Sequence, residues 1–224
     1  AVLAAAYATS ANSAERRHIV TDFDRVQIDG PFRVTLATGR PASATISGSN
    51  AAIERVSIDV QGRTLRVRPN RSAWGGYPGE GAGPLQIALS THEIRGASVS
   101  GSGSLSIDKA RAMRFDLAVS GSGRIGLAQV EADSLTLGVL GSGAIEIGGR
   151  AKELRATVQG NGDLRAEKLI VEDARIIADT AGAITVAARR SAEVTGTGPG
   201  DTHIIGAPAC TVKALGSGQV LCGE

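Results

Sequence analysis

Aromatic side chains are nearly missing from this chain: three Phe, two Tyr and one Trp in 224 residues. The core cannot then be built on rings and must rest on Val, Ile, Leu and Ala, which suits a narrow body. Histidine is also scarce, and His18, His92 and His203 fall at unrelated points of the chain's repeat. That scatter gives no basis for a catalytic triad or a His-metal site. Excess charge of one sign is missing too, with 24 Lys and Arg against 22 Asp and Glu, a formal net charge of +2. Without a basic stripe, nucleic acid is not expected as a partner. No stretch approaches the roughly 18 apolar residues of a membrane-spanning helix, so no transmembrane span is expected. Phosphate-cradling loops are absent as well: there is no G-x-x-x-x-G-K-[ST] sequence, and the G-x-G-x-x-G match from Gly121 to Gly126 precedes a strand where a dinucleotide site needs a helix. No cofactor is expected.

What the chain has is glycine, 30 residues of it, much of it in one recurring phrase. An apolar strand, a small-residue corner and a second apolar strand read VSGSGSLSI from Val99 to Ile107, and the pattern returns six times before the C-terminus. The corners centre on Ser102, Ser122, Ser142, Asn161, Ala181, Thr197 and Ser217, at spacings of 20, 20, 19, 20, 16 and 20 residues. Self-similarity at a fixed period of that size marks a fold built by stacking like units. Counting from a centre, apolar residues stand at minus seven, minus five and minus three, as in Phe115, Leu117 and Val119, and at plus three and plus five, as in Ile125 and Leu127. That is the period of two of a strand with one buried face. No helical period survives the count, so each coil must return to stack on its predecessor. The expected fold is all-β, a parallel β-helix or β-solenoid with coils of about 20 residues, right-handed by the general chirality of parallel crossovers. Seven such coils with two or three before them are expected. Glycine supplies positive φ at each corner, and the middle Ser or Asn can bond the backbone of its own turn or of its stacked neighbour.

Residues 19–224 read as a single β-solenoid domain. FDRVQIDGPFRVTL, with Val26 and Ile28 before Gly30 and Val34 and Leu36 after it, has the phase of a degenerate first coil. Gly48-Ser49-Asn50 and Gln61-Gly62 then punctuate two more short coils or a hairpin. Residues 70–84, NRSAWGGYPGEGAGP, break the rhythm as a Gly-rich loop insertion on the surface. Residues 1–18 read as a signal-peptide remnant or a flexible tail: an apolar run ends in small residues around Ala6-Tyr7-Ala8, without a charged start.

Cys210 and Cys222 fall in the last coil, where the strand phase turns both side chains inward. In an exported protein they can form a structural disulfide, whereas zinc would need four ligands and finds only His203 nearby. Gly162-Asp163 and Gly200-Asp201 are too sparse for a calcium-binding β-roll, which sets an Asp in nearly every turn. Glycoside cleavage needs two carboxylates roughly 5–10 Å apart, and Glu146 and Asp163 on neighbouring coils are the candidates. Arg165, expected to stack beneath Glu146, makes an exposed ion-pair ladder the simpler account. No catalytic, metal or cofactor-binding residue is therefore assigned. Trp74 and Tyr77 are the candidate contacts for a ligand or partner, being aromatic in a Gly-rich loop of a chain otherwise poor in rings. The competing account is that they fold back over the solenoid.

The opening FDRVQIDGPFRVTL, the middle LQIALSTHEIRGASVSGSGSL and the repeated V-x-G-S-G-x-I/L phrases together resemble the auto-transporter adhesin head domain, or head GIN domain, family of exported bacterial proteins, over roughly Asp22 to Gly223. The resemblance implies a β-solenoid in the periplasm or at the cell surface and carries no site residues across. The expected function is that of a non-catalytic exported envelope or cell-surface module, binding a surface glycan or an envelope protein, or self-associating as a homo-oligomer through its open coil ends. The alternative is a polysaccharide-active β-helix enzyme, a lyase or hydrolase, which requires an acidic cluster below a groove.

Overall fold

A computed structural model describes residues 14–70 and 85–223. In chain order β1 (Ala14–His18), β2 (Arg25–Asp29), β3 (Arg33–Thr38), β4 (Ser43–Gly48), a short helix α1 (Asn50–Glu54), β5 (Val56–Gln61), β6 (Thr64–Pro69) and β7 (Gln86–Thr91) precede the regular coils. The coils run through β8 (Gly96–Gly101), β9 (Ser104–Gly121), β10 (Arg124–Gly141), β11 (Ala144–Gly160), β12 (Asp163–Thr180), β13 (Ile184–Gly196), β14 (Thr202–Ile205), β15 (Ala209–Ala214) and β16 (Val220–Cys222). The sixteen strands of the described residues join one hydrogen-bonded sheet. The result is a parallel β-solenoid with about six coils of roughly 20 residues.

Each long strand bends twice. In β9 the buried residues are Leu105, Ile107 and Ala110, then Phe115, Leu117 and Val119, with consecutive exposed pairs at Asp108-Lys109 and Met113-Arg114. Two successive outward side chains reset the alternation onto a new face. A coil therefore has a face after the glycine corner, a narrow face, and a broad face leading to the next corner. Parallel register stacks like on like, so that Leu105, Ile125, Ile145, Leu164 and Ile184 form one inward column. Volumes compensate within each coil: Phe115 shares its coil with Ala110 and Ala112, whereas Ala166, Ala174 and Ala178 share theirs with Leu169 and Val171. Constant filling of a narrow interior requires that trade.

At the corners the backbones nearly touch. Gly141 holds φ +106°, and a Cβ there would stand 2.7 Å from the carbonyl oxygen of Gly121 one coil away. Only glycine accepts both the conformation and the approach. Corners are tied by main chain: the N–H groups of Ser122, Ser142 and Asn161 donate to the carbonyls of Gly101, Gly121 and Gly141 at 3.0, 2.9 and 2.8 Å. Ala181 makes the same bond to Gly160, 2.8 Å, which explains how a residue without a polar side chain occupies the centre of a corner. Thr180 begins that corner in place of glycine, its buried hydroxyl donating to the Gly162 carbonyl (2.9 Å) and accepting from the Gly182 N–H (3.0 Å).

Toward the amino terminus, β2 and β3 turn at Gly30 (φ +117°) and stack on β8 and β9, forming the expected first coil. The next segment supplies no further coils of the regular kind, which lowers the total below the number of repeats counted. Instead β5 and β6 form an antiparallel hairpin, and β4 lies antiparallel between β7 and β1. Ala14–His18 are thus strand rather than tail, because β4 offers a free edge on which they pair. Helix α1 buries Ala52 and Ile53, and its Ser49 cap accepts from the Ala52 N–H at 3.1 Å. Pro69 ends β6 beside the Gly30 corner, and Gln86 pairs with Arg33 just after it. Pro69 and Gln86, the strand residues on either side of 70–85, thus both lie by the corner column. Among the described residues no helix is long and apolar enough to cross a membrane.

Candidate interaction surface

The narrow face carries charge in rows. Arg111, Glu131, Arg150 and Ile170 follow one another in register from coil to coil. Two residues further along each coil, Met113, Asp133, Lys152 and Glu172 make a second row. Inward-pointing Ala112, Ala132 and Ala151 stack between the rows. The bends that isolate this face splay the rows apart, leaving a groove of about 570 Å³ along the solenoid axis with Arg189 at its far end.

Part of that charge is neutralised within the groove. Arg111 Nε lies 3.7 Å from Glu131, and Lys152 Nζ lies 2.7 Å from Asp133. The hydrogen bond to Asp133 and its charge hold the Lys152 ammonium above its ordinary pKa. Arg150 and Arg189 have no ion-pair partner within 4.0 Å among the described residues. Met113, 78% exposed, and Ile170 add apolar contact. A guanidinium presents a planar fork of donors that fits a carboxylate, sulfate or phosphate. The arrangement can hold anionic groups.

The residues singled out from sequence fare differently. Trp74 and Tyr77 lie outside the described residues. Cys210 and Cys222 form a disulfide with Cα atoms 6.7 Å apart. They pair in register with Ala192 and Ile204, both buried, so they do point inward. They are not enclosed among the described residues, however, for Cys210 is exposed and Cys222 half-buried. Glu146 does register with Arg165, but its ion pair is with Lys168 (4.0 Å), and Arg165 turns to Asp163 (3.6 Å). Asp163 also accepts the Ala183 N–H at 2.9 Å, and Asp201 accepts the Gln219 N–H at 2.9 Å. The two Gly-Asp sequences are thus corner staples, each fixing the start of the following strand. His92 stands 3.5 Å from Asp22. No group of three or more metal-ligating side chains gathers among the described residues. The groove was missed from sequence; aligning the coils and reading Arg111, Glu131 and Arg150 as a column would have found its first wall.

Residues 22–208 match the family described as "Putative auto-transporter adhesin, head GIN domain". The chain belongs to this family. In this head GIN domain the matched span contains the whole groove and ends just before β15, leaving the disulfide-bearing coil beyond it. Among solved structures, a putative adhesin from Bacteroides fragilis superposes with a TM-score of 0.85 at 18% identity, covering 94% of this chain and 97% of that one. A putative lipid binding protein from Parabacteroides distasonis gives 0.70 at 20% identity, covering 96% and 98%. A putative adhesin from Parabacteroides merdae gives 0.68 at 16%, covering 96% and 97%. At such identities the likeness is one of fold. No curated protein sequence matches the chain.

Proposed function

We propose that this head GIN domain is a non-catalytic exported module of the periplasm or cell surface that holds a surface glycan or an envelope protein by anionic groups laid along the narrow-face groove. The observation that carries the reading is the pair of unpaired guanidiniums, Arg150 and Arg189, in a groove whose other cations are matched. With coils about 4.8 Å apart, the track from Arg111 to Arg189 is about 19 Å long, suited to an extended chain. The family description favours attachment over catalysis and supports export. The carboxylates that a polysaccharide-cleaving enzyme would use are engaged elsewhere, Glu146 with Lys168 and Asp163 with the Ala183 N–H. Trp74 and Tyr77 are a second contact in this proposal, stacking on a sugar face or anchoring a protein partner.

The test is an array of acidic and neutral oligosaccharides, with the hits measured in solution. Binding is expected to weaken at least tenfold in the Arg150→Glu, Arg189→Glu double variant, less in Trp74→Ala, and to fall with added salt. Unchanged affinity in the double variant would move the site off the groove. Release of shortened products from an acidic polysaccharide would replace binding with catalysis.

A further inference from the structure

Charge in the narrow-face groove alternates from coil to coil. Cations stand on β9 (Arg111), β11 (Arg150 and Lys152) and β13 (Arg189). Carboxylates stand on the coils between, β10 (Glu131 and Asp133) and β12 (Glu172). The sign therefore repeats every two coils, about 9.6 Å at the spacing of stacked strands. Pairing between neighbouring coils uses only the first half of this pattern. Glu131 turns to Arg111 and Asp133 to Lys152, so Arg150, in register with Glu131, is left unmatched. At the other end the register slips between Val171 and Asp173, setting both Arg189 and Arg190 against Glu172. Two residues facing one is the geometry of a bulge. Arg190 donates to Asp173 at 2.8 Å, which leaves Arg189 to the groove. Glu172 has no ion-pair partner within 4.0 Å among the described residues. Three consecutive coils thus offer Arg150, Glu172 and Arg189, in the order plus, minus, plus.

That spacing selects among extended polymers. A peptide strand brings side chains to one face at every second residue, about 6.6 Å, which falls out of step with a two-coil period. A pyranose chain stays in step, because each ring advances the polymer by about one coil spacing. A ring with its acid at Arg150 has its next-but-one neighbour at Arg189. The ring between them meets Glu172, which accepts hydroxyl or amide N–H donors, and Ile170, whose exposed part can lie against the C–H face of a sugar. An acid on that middle ring would face the Glu172 carboxylate instead, and like charges so placed reject a wrong partner.

We propose that the groove takes a polysaccharide of alternating acidic and neutral sugars, laid one ring to a coil, with acids at Arg150 and Arg189 and a neutral ring at Glu172. The proposal rests on the reading of the groove as an anion-holding surface, and narrows it from acidic chains in general to a two-sugar repeat. The two guanidiniums attract any acidic chain. Glu172 makes the distinction, since it penalises only a polymer that is acidic on every ring.

The experiment is calorimetric titration of the full oxidised chain at low ionic strength with two hexasaccharides, one of hyaluronan, acidic on every second ring, and one of polygalacturonic acid, acidic on every ring. The hyaluronan oligomer is expected to bind about tenfold more tightly although it carries half the charge. Glu172→Gln is expected to leave that affinity unchanged and to bring the galacturonate oligomer within about threefold of it. Arg189→Gln is expected to weaken the hyaluronan oligomer about tenfold. Both side chains are exposed, so the far-ultraviolet circular dichroism is expected to stay the same. Equal binding of the two oligomers, both lost in the Arg150→Glu, Arg189→Glu double variant, would overturn the two-sugar repeat and leave the groove reading standing. Hyaluronan binding that survives the double variant would overturn both. Binding of neither oligomer, or tighter binding of a glutamate-rich peptide of the same charge, would overturn the proposal, the second result assigning the groove to a protein.

Discussion

At the amino-terminal end the sheet edges are turned antiparallel, α1 lays Ala52 and Ile53 on the core, and buried Asp24 sits 2.7 Å from Arg63 and 3.8 Å from Arg95. In the last described coil Val212 and Leu215 are exposed, and a disulfide joins β15 to β16. Between them the inward column on the broad face runs Phe115, Leu135, Leu154, Ala174, Ala192, so the apolar area buried in that column falls toward the carboxy terminus, a loss that Leu169 and Val171 offset in the β12 coil but that no such pair offsets beside Ala192. In a stack where each coil touches only its neighbours, stability is a sum of local terms. The closed end and the first coils should therefore anchor the fold, and the last coil should be its loosest part.

The sharpest test sets the two regions against each other. Phe115→Ala should cost about 3–5 kcal/mol, because Ala110 and Ala112 in the same coil are too small to fill the void. Val212→Ala in the last described coil should cost less than about 1 kcal/mol, its side chain being only partly covered. Chemical denaturation of both variants checks this, and equal losses would end the contrast between the regions. Next in size is the disulfide. Replacing both Cys210 and Cys222 by Ser releases a loop closed over 12 residues, about 3 kcal/mol in the chain-entropy account. The loss should stay local, with hydrogen exchange rising in β15 and β16 while β9 to β11 keep their protection. Smaller again is Gly141→Ala, at about 1–3 kcal/mol for a side chain forced into positive φ against the Gly121 carbonyl. Gly126→Ala, whose added Cβ meets nothing within 4 Å, should change stability by no more than about 0.5 kcal/mol and serves as its control.

The coils were readable because Leu, Ile and Val alternate over enough residues to expose a period of two, and because glycine recurs where the backbone cannot take another residue. The narrow face was not. Its inward positions in β9 and β11, Ala110, Ala112, Gly149 and Ala151, are too small to register as a strand; only Val130, Leu169 and Val171 mark it in β10 and β12, and the bends that free Arg111 and Met113 are visible only in three dimensions. The amino-terminal cap was hidden for another reason: nothing in AERRH announces that it pairs with β4, a contact made across some thirty residues. For the cysteines, phase gave direction but not burial. Enclosure depends on a following coil, which is a property of the stack rather than of the strand.

The smallest expected effect concerns the joint between β12 and β13, the last place where two full coils meet before the last described coil. Arg190 donates to the Asp173 carboxylate through Nε at 2.8 Å and through Nη2, and the Ser191 hydroxyl donates at 2.6 Å. Led by the Arg190 hydrogen bond, these contacts lower the Asp173 pKa from 3.8 to about 2. A carboxylate depressed in the folded state contributes stability that is fully present above its unfolded value and lost as pH falls through its folded one. The pair is exposed and screened, so the loss is small and local. Between about pH 4 and pH 2, amide exchange in β13 to β16 should therefore rise relative to β8 to β10. Asp173→Asn should show the faster exchange already at pH 5, without that further step. An acid-induced rise that begins instead at β1 and β4 would mean that the amino-terminal end is the weaker one, and the ranking of the two ends would have to be reversed.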